Sequence, residues 1–173
     1  MFGEPRGPTP FTAADAEAFQ REMGRPARGV LAVAYRCGHG VPAVVQTSPL
    51  LPGGTPFPTM FYLCCSALTA AVSRMESAGM MREMTDRLAS DADLAQRYRR
   101  AHEAYLAVRN AVHDLGIEVS AGGMPDRVKC LHVLVAHSLA TGRGVNPLGD
   151  QAVDALGEYL RGEPPCVRLG APR

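Results

Sequence analysis

The spacing of apolar residues changes period several times along the chain, and each change marks an element. Thr12, with Asp15 three residues on, has the form of a capping box and predicts a helix over 12–23 that Gly24 ends. Residues 30–36 and 41–47 are short runs rich in β-branched side chains on either side of Cys37-Gly38-His39-Gly40. They predict a hairpin with a Cys-x-His tip and with Pro42 at the start of its second strand. Residues 48–59 hold four prolines and two glycines, yet Leu50, Leu51 and Phe57 give this loop something to bury. A third strand is expected over 60–65, where the alternation of a strand sends Cys64 and Cys65 to opposite faces.

Helical spacing then takes over. Ser66 is expected to cap a helix running to about residue 78, Gly79 interrupts the pattern, and Met80, Met84 and Leu88 repeat on one face of a second, shorter helix. Ser90 and Asp93 resemble another capping start, and Leu94, Tyr98, Ala101, Tyr105 and Val112 form a stripe that predicts a long helix to about residue 115. Its flank of His102, Arg109 and His113 reads as a solvated face. Farther on, residues 123–141 read as a helix with Pro125 in its first turn and Gly142 at its stop. Its apolar residues project in nearly every direction, so this helix should be buried. After a turn over 142–149 a last helix is expected over 150–160, and Pro164-Pro165-Cys166 should close the chain in extended form.

These elements predict an α+β fold: a small three-stranded antiparallel sheet packed against a mostly helical layer, with a buried central helix. Residues 1–10 are expected to be a flexible tail, 11–167 a single domain and 168–173 a C-terminal tail. At 173 residues the chain is long enough to bury a core without disulfide or metal staples. A net charge of +1 gives no reason to expect a nucleic-acid partner. No apolar run is long enough for a membrane helix and the first residues lack an apolar signal core, so a cytoplasmic protein is expected. In that setting five cysteines, an odd number, read as thiols or metal ligands rather than disulfides.

Two kinds of chemistry suit the polar residues. For a zinc or iron–sulfur site the candidate ligands are Cys37 and His39 at the hairpin tip, Cys65 at a strand end, Cys130 on the central helix, and Cys166. In a continuous helix Cys130 and His132 stand about 200° apart, so that helix should supply one ligand, Cys130, with Asp126 as a supporting acceptor one turn earlier. Cys64 reads as a small buried hydrophobe. The second reading is an enzyme or binding module for a small phosphorylated or carboxylated molecule. Arg127, Lys129 and His132 would meet the anion near a helix start behind Gly122-Gly123, with Lys129 and His132 as candidate catalytic residues. Lys129 stands out because it is the only lysine beside seventeen arginines. His137 reads as a core histidine. A third reading is a protein-interaction module without chemistry, marked by an exposed apolar patch.

Several blocks carry a resemblance: Gly40-Val41-Pro42-Ala43-Val44-Val45-Gln46-Thr47, Gly54-Thr55-Pro56-Phe57-Pro58-Thr59 on to Cys65, Gly122 through His137, and Gly144-Val145-Asn146-Pro147-Leu148-Gly149. In these the chain resembles, over about residues 25–167, the bacterial family of domain of unknown function 501. The resemblance implies a compact cytosolic protein and brings no assigned activity or catalytic residue with it. It matches the family's cysteine after the third strand to Cys65, where Ser66 replaces the usual following proline. It also implies that the position of His39 can carry cysteine.

Overall fold

A computed structural model describes residues 7–160, and it has the expected α+β architecture. The first helix, α1 (Ala13–Met23), starts with the predicted capping box: Thr12 accepts from the Asp15 amide while Asp15 accepts from the Thr12 amide. Strands β1 (Val30–Arg36), β2 (Pro42–Thr47) and β3 (Phe61–Leu63) form an antiparallel sheet in the order β1-β2-β3. Pro42 opens the central strand, where its missing N–H falls at the end of the ladder. Thr9, inside the expected tail, pairs with Val33 and covers part of the outer edge of β1.

Alternation along the strands gives the sheet two buried faces. Phe19 of α1 covers Val45 and Cys64 on one side, while Val44, Phe61, Leu63 and Cys65 face the main core on the other. The two adjacent thiols therefore separate as the pleat requires. On the α1 side, Arg36 of β1 reaches across to Asp15 in two bonds of 2.6 and 2.9 Å. The Arg36 guanidinium holds the Asp15 carboxyl at a pKa of about 2, well below the ordinary carboxylate range.

The main core is helical: α2 (Ser66–Ser77), α3 (Met80–Ser90), α4 (Ala92–Val112), α5 (Leu131–Thr141) and α6 (Pro147–Tyr159). Helix α5 is its centre, packed on the sheet on one side and on α2 and α6 on the other. Leu131, Leu134, Val135, Ala136 and His137 are all fully buried. The crossing of α5 with α6 is close enough that a side chain on Gly149 would meet the Leu134 carbonyl at 2.4 Å. None of the helices among the described residues is long and apolar enough to cross a membrane.

Four sequence expectations are corrected. Helix α5 begins at Leu131 and not near Pro125: residues 122–130 are a loop in which Gly122 and Gly123 take positive φ and the Met124–Pro125 bond is cis. Helix α6 begins earlier than expected, because Asn146 caps it by accepting from the Gly149 amide and Pro147 fits its first turn. Helix α4 ends at Val112, short of residue 115.

The fourth correction concerns Arg109, which is 0 % exposed rather than on a solvated face. Its guanidinium donates to the carbonyls of Ile117 and Val119 and to Asn110, so the chain after α4 folds back over it. With those carbonyls turned inward, the Ile117 and Val119 side chains face solvent. His102, on the same helix, is half-buried and bonds Ser120 at 2.9 Å.

Candidate metal centre

The centre forms where the N-terminus of α5 meets the C-terminal half of α2. Thr69, Ser73 and Glu76 follow one another at i, i+4 and i+7, a spacing that places them on one face of α2. Opposite them stand Cys130 and His132. Cys130 occupies the cap position of α5 with extended backbone (φ −154°, ψ 111°) and gives the helix no side-chain cap. Glu76 takes that role from outside the helix, accepting the Leu131 amide at 2.7 Å. A carboxylate at this end is favoured by the amides left unpaired there and by the helix dipole.

The same carboxylate oxygen lies 3.2 Å from His132 Nδ1, and Cys130 Sγ lies 3.8 Å from that nitrogen. On the other side of the ring, His132 Nε2 is 3.2 Å from the Thr69 carbonyl and 3.4 Å from Ser73 Oγ. A carbonyl can only accept, so Nε2 carries a hydrogen. Without a metal Nδ1 must carry one too, in order to donate to Glu76. The hydrogen bond with Cys130, followed by the charge of Glu76, accordingly raises the His132 pKa above the ordinary imidazole value against the effect of burial. The side chains of His132 and Glu76 are 25 % and 21 % exposed, so the cluster borders solvent.

Among the described residues, the one set of three or more Cys, His, Asp or Glu side chains with ligand atoms within 4.8 Å of one another is Glu76, Cys130 and His132. The set expected from sequence does not come together there. Cys130 is in the group, whereas Cys37, His39 and Cys65 are not. His39 is exposed on the hairpin turn, and Cys65 sits in the core at the start of α2, where burial raises its pKa. Cys64 is a buried thiol packed with Phe19 and Val45 as a small core hydrophobe, and burial raises its pKa too. Cys166 lies outside the described residues.

The anion set also divides. Arg127 and Lys129 are exposed loop residues ahead of α5, and His132 faces Glu76 and Cys130. Asp126 is exposed as well, 3.9 Å from Arg99, and takes no part in supporting Cys130.

Most of the sheet, the central helix and all three residues of the cluster fall within one recognised family. Residues 33–154 match the family described as Protein of unknown function (DUF501). The chain belongs to the DUF501 family. No curated protein and no solved structure matches it. The DUF501 match runs from within β1 to within α6 and leaves out α1.

Glu76 is the member of the group that sequence reasoning missed. Its partners lie more than fifty residues away, and no short motif joins it to Cys130-Leu131-His132. The signal present was the row of Thr69, Ser73 and Glu76 at helical spacing along α2. In a continuous helix Cys130 and His132 would stand about 200° apart and could not share one ion. The extended backbone at Cys130 removes that geometric bar.

Proposed function

We propose that this DUF501 protein binds a divalent metal ion, zinc foremost, through Glu76, Cys130 and His132. The observation that carries the reading is the orientation of His132. Its Nε2–H is tied to a backbone carbonyl, and its Nδ1 faces both a carboxylate oxygen and a sulfur. A metal-bound histidine has this arrangement, with the second ring nitrogen donating to a carbonyl or carboxylate.

The two separations at Nδ1 agree. Tetrahedral zinc with bonds of about 2.0–2.1 Å to nitrogen and oxygen and about 2.3 Å to sulfur puts N and O about 3.3 Å apart, and N and S about 3.6 Å apart. The corresponding distances are 3.2 and 3.8 Å. A nucleophilic relay fits less well, because there the thiol and the carboxylate bond opposite nitrogens of the ring. Here both lie at Nδ1. An iron–sulfur cluster also fits less well, since it takes several thiolates and this group offers one.

Three protein ligands leave a tetrahedral ion with one further position for water or a substrate, as in catalytic rather than structural zinc sites. The partial exposure of His132 and Glu76 suits such access.

Equilibrium dialysis of the zinc-free protein against zinc, followed by elemental analysis, tests the reading. One equivalent per chain is expected, with binding weakened at least tenfold in Glu76→Gln and in Cys130→Ser. Equal uptake by the wild type and both variants would place the zinc elsewhere, and no uptake would end the proposal.

A further inference from the structure

The loop that delivers Cys130 is held at one peptide unit from two helices at once. The Val128 amide donates to Thr85 Oγ1 of α3 at 3.0 Å, and the carbonyl of the same unit, Arg127 O, accepts from Tyr98 OH of α4 at 3.3 Å. Thr85 donates its own hydrogen to the Met81 carbonyl, which leaves its oxygen free to accept from Val128. Tyr98 is fully buried, so its hydroxyl is fixed by the core.

Beyond this unit the Lys129 amide donates to Gly122 O at 2.7 Å, and the Leu131 amide donates to Glu76 at 2.7 Å. Cys130 therefore lies between two anchored amides, two residues after the clamped one. Tyr98 is also one of four α4 residues, with His102, Tyr105 and Arg109, that recur at i, i+4, i+7 and i+11. The polar ends of all four hold backbone or side chains of other segments.

We infer that Thr85 and Tyr98 are positioning residues for the Glu76–Cys130–His132 centre: they fix the Arg127–Val128 peptide plane and so aim Cys130 Sγ at His132. The inference rests on the metal reading for its purpose but not for its test. Burial of the Val128 side chain would retain the loop near the core without any clamp. A purely structural role for Thr85 therefore predicts no change at Cys130 when the hydroxyl is replaced by a methyl group of similar size.

The full-length, metal-free protein is treated with iodoacetamide and Cys130 alkylation is followed by peptide-resolved mass spectrometry, in parallel with cobalt(II) titrations read by the thiolate-to-cobalt absorption. Thr85→Val is expected to raise the alkylation rate about tenfold, to weaken cobalt binding about tenfold and to shift the band, while the urea midpoint falls by no more than the loss of one hydrogen bond to the Val128 amide accounts for. Thr85→Ser, which keeps the acceptor, is expected to behave as wild type. Wild-type alkylation of Cys130 in Thr85→Val overturns the inference, as does a Thr85→Ser variant as impaired as Thr85→Val. If Thr85→Val does not fold, Tyr98→Phe is judged by the same readings. If the wild type binds no cobalt, the metal reading is what fails, and alkylation alone decides the positioning role.

Discussion

His137 shows how one buried side chain sets a dependence on pH. It is fully buried, stacked on Phe61 and edge-on to Tyr105, and its Nδ1 lies 3.2 Å from Asn146 Nδ2. The Asn146 amide donates, so Nδ1 accepts and Nε2 carries the hydrogen; among the described residues Nε2 has no hydrogen-bond partner. Desolvation pushes the His137 pKa down to about 4 from 6.5. The unfolded chain then binds the proton more readily than the folded one between those values. Stability from His137 is present above pH 6.5 and is lost as pH falls toward 4, by up to about 3 kcal/mol. Urea unfolding at pH 7.5 and pH 5 should show about 2 kcal/mol of this loss in the wild type and a clearly smaller one in His137→Gln. Equal losses in the two proteins would contradict it.

Among the helices, α5 and α6 make the most extensive contact, and Gly149 is the residue that permits their close approach. Alanine has the higher helix propensity by about 1 kcal/mol, so at an open site Gly149→Ala would stabilise. Here its Cβ would meet both Leu134 O and Ser138 Oγ at 2.4 Å. The clash should outweigh propensity and destabilise by about 2 kcal/mol, which a denaturant midpoint can check. A variant as stable as wild type would show that the two helices can separate freely. Most elements were legible in the sequence because their signals are local: the Thr12/Asp15 box, the hairpin glycines, the alternation through Cys64 and Cys65. What was not legible depended on distant partners. Pro125 has the look of a helix start, but Glu76 and the clamped loop place that start at Leu131. Arg109 has the look of a surface cation until the chain at Ile117–Val119 wraps it in carbonyls.

At the scale of the whole molecule, the buried α5 joins the sheet to the helical layer, and its N-terminus carries the one group of three Cys, His, Asp or Glu side chains among the described residues whose ligand atoms lie within 4.8 Å of one another. Cys130 was legible as a candidate ligand. Its partners were not, since the sequence pointed to the hairpin tip and the strand end. The fold brings α2 to Cys130 in their place, and with α2 comes Glu76. Zinc-edge X-ray absorption of the protein loaded with one equivalent of zinc tests this assembly most directly. The account predicts a single sulfur at about 2.3 Å and nitrogen or oxygen neighbours at about 2.0–2.1 Å, with the sulfur lost in Cys130→Ser. A shell without sulfur, or one with two or more sulfurs, would contradict it.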